Sequence, residues 1–151
     1  MKSIVYLTIV LAFSLAMMNC SSSKNAGNSS AEPLTLLPSI SEQNSNFITF
    51  SVKAVRNRTV EGEYLPSSED IRIYVSDSNG KQVWNSDHNM SFTMAIGDVR
   101  PKSVGDTHEY TAIWNKKDND GKRISPGVYN ARIVIPAQPN NYSTNLAFNV
   151  E

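Results

Sequence analysis

Residues 114–129 read WNKKDNDGKRISPGVY, and this stretch decides the fold. It has the form of a strand end, a polar loop and the start of the next strand. Asp118 favours a turn, and Gly121 reaches positive φ at no steric cost. The dipeptide Pro126-Gly127 is a second turn signal. Trp114 and Tyr129, at the two ends, are large aromatic side chains that need a core on which to pack.

Apolar and polar residues alternate on both sides of this stretch, which is typical of half-buried strands. Asn79-Gly80, between two such runs, predicts a tight hairpin. About eight short strands in residues 46–151 predict an all-β fold, an immunoglobulin-like antiparallel β-sandwich. We expect Trp84, Phe92, Trp114 and Tyr129 to form its centre. The predicted strands cover residues 47–54, 59–65, 71–76, 81–84, 91–96, 107–114, 128–135 and 142–150.

The composition indicates one domain of ordinary size with a balanced charge. The chain has 151 residues, with 14 basic and 14 acidic side chains. An electrostatic nucleic-acid binder needs a basic face, so we expect no nucleic-acid partner. The sole cysteine, Cys20, has no partner for an internal disulfide and excludes a cysteine-based zinc site.

The N-terminus has the pattern of an export signal. Lys2 precedes an apolar run, Ile4 to Met18, that is shorter than a comfortable membrane span. The run stops at Asn19-Cys20, which resembles a bacterial lipoprotein signal, although Asn19 stands where a small residue is usual. An ordinary secretory signal with a chance cysteine is the alternative.

On the lipoprotein interpretation, residues 1–19 are a signal peptide and residues 20–45 are a lipidated cysteine with a flexible, serine-rich linker. Acyl chains such as palmitate on Cys20 then anchor the chain to a membrane. The expected location is the bacterial cell envelope, at the outer membrane. Residues 33–38, bracketed by prolines, either lie against the domain or serve as a docking segment.

No set of residues predicts an enzyme, a cofactor or a metal site. His88 and His108 are the two histidines, and neither repeats a triad or a metal-ligand spacing. Asp118 to Gly121 resembles part of a calcium loop, but Val128 and Tyr129 stand where the loop needs its glutamate. We interpret it as turn chemistry.

Four motifs, in this order, resemble the BsuPI family of intracellular proteinase inhibitors. They are residues 57–59 (Asn-Arg-Thr), 71–84 (through Trp84), 91–95 (around Phe92) and 114–129. The resemblance covers about residues 47–135, and its second half is also similar to the immunoglobulin-like domain of flagellar hook-capping proteins. It implies a β-sandwich and, for some members, inhibition of a serine protease.

The expected function is therefore that of a lipid-anchored, non-enzymatic binding domain that inhibits a proteinase outside the cytoplasm. A structural or adhesive surface lipoprotein that binds another protein is the alternative. The sequence does not identify the contacting loop. Residues 85–90 and 97–106 are ordinary connecting loops on the simplest interpretation, but they are long enough to present an extended segment, with Met90 or Arg100 as an anchor. Strand addition at a sheet edge is a second route to a partner.

Overall fold

The computed structural model describes residues 32–151, which form seven strands in two antiparallel sheets. One sheet has the order β1-β2-β5 and the other β4-β3-β6-β7. The predicted all-β sandwich is confirmed. The strands are β1 (Leu34–Gln43), β2 (Ile48–Arg56), β3 (Arg72–Asp77), β4 (Gln82–Asn85), β5 (Thr107–Trp114), β6 (Gly127–Ile135) and β7 (Tyr142–Val150).

The core lies between the two sheets and is built from alternate residues of each strand. Trp114 is fully buried and stacks on Trp84, with 5.6 Å between the ring centroids. Phe50 and Phe148 complete the aromatic cluster and pack edge to face at 5.3 Å. Each such side chain contributes roughly 1.5–3 kcal/mol by leaving water. Trp114 and Tyr129 are buried as expected, and Trp84 is half-buried.

Turn chemistry holds the two predicted connections. At the β3–β4 hairpin, the carboxylate of Asp77 accepts hydrogen bonds from the backbone N–H groups of Asn79 and Lys81. In the loop after β5, the carboxylate of Asp118 accepts the N–H groups of Asp120 and Lys122 at 3.0 and 2.8 Å. These two of the three predicted turns are confirmed, because the carboxylates accept hydrogen bonds from the backbone of their own loops.

The strand β1 corrects the predicted linker. Leu34 to Gln43 pair with β2 along its whole length, although residues 20–45 were expected to be a flexible spacer. Leu34 is buried and Leu36 and Ile40 pack against the core, so this segment alternates like a strand. Pro38 obscured the pattern. A proline is tolerated here because β1 lies at the edge of its sheet.

Two predicted strands are wrong. In residues 59–65, Gly62 has a φ of 71° within a turn, and single bridges at Tyr64 and Leu65 replace a ladder. Residues 91–96 also form no strand. Phe92, expected in the centre of the core, is only half-buried outside it. The alternating pattern was present in both segments, but neither pairs along its length with a neighbouring strand.

Candidate functional site

An exposed, extended segment, residues 90–96, follows the turn after β4 and precedes the loop into β5. Three of its apolar side chains stand in solvent: Met90 is 59% exposed, Met94 92% and Ile96 78%. The alternation of residues 91–96 predicts that Met94 and Ile96 face inward with Phe92, and for these two side chains that prediction is wrong. Exposed apolar side chains that are grouped on one part of the surface mark interaction sites, whereas single ones need no explanation.

Two pairs of hydrogen bonds fix the second half of this segment to the domain. Thr93 donates its N–H to Ser68 Oγ at 3.1 Å and accepts the N–H of Ser68 at 2.9 Å. Gly97 exchanges backbone bonds with Leu65 at 2.8 and 2.9 Å. Met94, Ala95 and Ile96 lie between these two supports. The backbone groups of these three residues make no hydrogen bond to other backbone groups of residues 32–151.

The turn before the segment is anchored separately. Ser86 exchanges hydrogen bonds with the backbone of Ile73 in β3, each at 2.9 Å. Asp87 forms an ion pair with Arg72 at 3.0 Å, and its carbonyl accepts the N–H of Met90. Hydrogen bonding to Glu69 raises the pKa of Arg72 further above its ordinary value, so its charge is available to pair with Asp87.

A buried ionic network fixes the loop that follows the segment, residues 97–106. Arg56 is 2% exposed, and it donates to the carbonyl of Pro101 at 2.7 Å. The Arg56 guanidinium also donates two hydrogen bonds to the Glu63 carboxylate, at 2.7 and 3.3 Å. Tyr142 donates its hydroxyl hydrogen bond to the same carboxylate. The alternation of residues 59–65 predicts that Glu63 faces solvent, and that prediction is wrong, since its side chain is 8% exposed.

The sequence-based anchor residues are found on these two loops. Met90 is exposed at the start of the segment, where its N–H belongs to the preceding turn. Arg100 is exposed, while its backbone N–H and carbonyl are both bonded to the hydroxyl of Tyr110. Met94 was missed as a candidate. Its exposure depends on the lack of a pairing strand, which the local sequence does not encode.

The motif aromatics Trp84, Trp114 and Tyr129 lie outside the exposed segment, whereas Phe92 lies within it. Trp84, Trp114 and Tyr129 pack in or against the core, and Gly127 begins β6. His88 is exposed in the turn before the segment, and His108 packs edge-on against Tyr110 with 4.6 Å between ring centroids. His108 also helps to line a pocket of about 310 Å³ beside Ala95.

Within residues 32–151, no three His, Cys, Asp or Glu side chains are grouped so that they could hold a metal ion. Over the same residues, no helix is long and apolar enough to cross a membrane. The predicted lipidation site, Cys20, and the signal peptide, residues 1–19, lie outside the described residues. They stay predictions.

The sequence model of one protein family, described as "BsuPI: Intracellular proteinase inhibitor", matches residues 37–140. The chain belongs to the BsuPI family. The match begins inside β1 and runs past β6, so the BsuPI domain includes the exposed segment and both of its supports. The resemblance expected from the four motifs is confirmed.

The family description corrects the expected location. BsuPI proteins are described as intracellular, which contradicts the predicted placement in the cell envelope at the outer membrane. That placement depended on the N-terminal residues alone. The part of the chain that matches the family is the folded domain, which carries no sign of the compartment in its strands.

Other comparisons add little. No curated protein is significantly similar to the BsuPI chain in sequence. Among solved structures, β-glucosidase 3B from Thermotoga neapolitana, in complex with glycerol, is similar to 77% of this chain at 13% identity and a TM-score of 0.38. The chain spans only 16% of that enzyme.

Proposed function

We propose that this BsuPI domain binds a serine protease and inhibits it by presenting residues 90–96 to the protease active site. The family is described as one of proteinase inhibitors, which act by binding a protease. The observation that supports the use of this segment is Met94, 92% exposed between hydrogen-bonded supports at Thr93 and Gly97.

A protease recognises an extended peptide through backbone hydrogen bonds and side-chain pockets, as in strand addition. Met94, Ala95 and Ile96 have backbone groups available for such pairing. Because Thr93 and Gly97 are already fixed, little conformational entropy remains to be lost on binding. A rigid segment of this kind gains affinity relative to a flexible substrate of the same sequence.

The arrangement around the segment is consistent with a scaffold role. Arg72 and Asp87 hold the turn before it, and Arg56 with Glu63 holds the loop after it. These charged side chains pair within the protein and so position the two loops. The segment, residues 90–96, and its two neighbours, Asn89 and Gly97, contain no charged side chain.

Titration of the purified full chain into subtilisin-type, chymotrypsin-type and trypsin-type proteases tests this function. We expect stoichiometric loss of peptidase activity for at least one class. The variant Met94→Asp, which places a charge at the centre of the segment, should weaken that inhibition, whereas Thr107→Asp, at the start of β5, should not. Full activity of every protease at micromolar chain would refute the inhibitor proposal.

Membrane attachment through acyl chains on Cys20 is a separate proposal that depends on the sequence alone. Fatty-acid labelling of the wild type and of Cys20→Ser tests it. Loss of the label in the variant supports it, and equal labelling or no labelling of both contradicts it. The inhibitor proposal does not depend on the outcome.

A further inference from the structure

We propose that Met94 is the side chain that fills the primary specificity pocket of the target protease, with the Met94–Ala95 peptide bond held at the catalytic nucleophile. This inference rests on the proposed inhibitor function and deepens it. It also defines the partner: a serine protease whose pocket is deep, apolar and able to accept a long unbranched side chain.

Position selects Met94 from the apolar residues of the segment. It directly follows Thr93, whose N–H and carbonyl are both bonded to Ser68, so its backbone starts from a fixed point. Met90 is less exposed, and its N–H is held in the preceding turn by Asp87. With its 92% exposure, Met94 is also the most exposed large apolar side chain of residues 32–151.

Side-chain shape supports the same choice. Methionine is unbranched at Cβ and has three rotatable bonds, so it can enter a narrow pocket. Ile96, the other exposed candidate, carries two heavy atoms on Cβ and is stiff at χ1. Its side chain therefore fits poorly through the narrow entrance of such a pocket. Ala95 ends at Cβ, so the residue on the far side of the presented bond leaves space for the nucleophile to approach.

Charge indicates the type of pocket. Residues 89–97 carry no charge, so a protease with a carboxylate at the base of its pocket gains no ion pair from this segment. Asp98, the first charged residue after the segment, forms an ion pair with Lys102 at 2.6 Å. Transfer of the Met94 side chain from water into an apolar pocket is worth about a 10- to 100-fold gain in affinity.

Inhibition constants of full-chain variants test the assignment. Met94→Lys should lose about 10- to 100-fold against a subtilisin-type protease and gain inhibition of a trypsin-type protease, which has an acidic pocket. Met94→Leu should stay within about 3-fold of wild type, because it keeps an apolar side chain unbranched at Cβ. Ile113→Lys is the control, the same new side chain at an exposed apolar position of β5 outside the segment, and should also stay within about 3-fold.

Prolonged incubation with active protease gives a second, independent readout. Slow hydrolysis should cut the bond between Met94 and Ala95, where water adds to leave a carboxylate on Met94 and an amino group on Ala95. Mass spectrometry of the fragments locates the cut. All these positions are exposed, so circular dichroism and thermal melting should show folded variants.

The outcomes separate the two proposals. If the wild type inhibits a protease but Met94→Lys behaves like the control Ile113→Lys, the specificity assignment fails and the inhibitor function stands. The same holds if Ile96→Lys is the variant that changes specificity, or if the cut falls elsewhere. If the wild type inhibits no protease of any class, both proposals fail together.

Discussion

The buried pair of Arg56 and Glu63 allows the sharpest test of how the domain holds its loops. Arg56 is 2% exposed and the Glu63 side chain 8%, and two hydrogen bonds join them. The variant Glu63→Gln keeps the shape of the side chain but leaves the Arg56 charge buried without a carboxylate. Arg56→Met leaves the Glu63 carboxylate in the same position.

Breaking a buried pair from one side costs about 3–5 kcal/mol, because the remaining charge is uncompensated. We therefore expect each single variant to lose that much free energy of unfolding. The double variant Arg56→Met/Glu63→Leu leaves no charge behind, but the Pro101 carbonyl and the Tyr142 hydroxyl still lose partners. The loss of free energy of unfolding in the double variant should be smaller than the sum of the two single losses by at least about 2 kcal/mol.

Denaturant unfolding followed by circular dichroism measures these differences. The matched control is Lys102→Met, which breaks the exposed pair with Asp98, whose side chains are 64% and 61% exposed. A surface pair of that kind contributes at most about 1 kcal/mol. The reasoning fails if Glu63→Gln loses no more stability than Lys102→Met, or if the double variant loses the full sum.

Three further predictions concern single groups. Burial, with help from the hydrogen bond to Glu63, raises the pKa of Tyr142 to about 12. Because the folded state favours the neutral phenol, the free energy of unfolding should fall as pH rises from about 10 to 12, and Tyr142→Phe should fall less steeply. Treatment with peroxide should oxidise the Met94 thioether to a polar sulfoxide, with the peroxide reduced to water, and weaken inhibition about 10-fold or more, whereas Met94→Leu should resist; equal loss in both would contradict this. Ser68→Ala removes the acceptor of the Thr93 N–H, so inhibition should weaken about 2- to 10-fold while the melting temperature changes little, and an unchanged inhibition constant would show that this support is not needed.

The sequence predicts the strands whose two faces differ. In β2 and β6 the buried residues alternate with more exposed ones over most of the strand, and the hairpin at Asn79-Gly80 follows from its own turn chemistry. These features are local, so a short window contains the information that forms them. Trp114 could be placed in the core for a similar reason, since so large an apolar surface is costly to leave in water.

The features that failed depend on neighbours distant in the chain. Buried and exposed residues alternate in β1 as they do in β2, but its two prolines, the flanking Pro33 and the internal Pro38, are typical of a linker. Only the pairing with β2 identifies this segment as a strand. Phe92, Met94 and Ile96 occupy every second position of a predicted strand, and yet Met94 stands in solvent. Glu63 looked like a surface residue, and only the fold brings Arg56 and Tyr142 to it.

The stack of Trp84 on Trp114 joins strands from opposite sheets, β4 and β5, at 5.6 Å and 26° between ring planes. When two indole rings lie this close together, their electronic transitions are coupled. The optical signal of the pair therefore reports the distance between the two sheets. Trp84 is also the second-last residue of β4, the strand that precedes the turn into the exposed segment, residues 90–96. A binding partner that shifts β4 by displacing that segment would therefore change the optical signal of the Trp84–Trp114 pair. A partner that binds the segment without moving β4 would leave this signal unchanged. Neither measurement requires a dye on the protein.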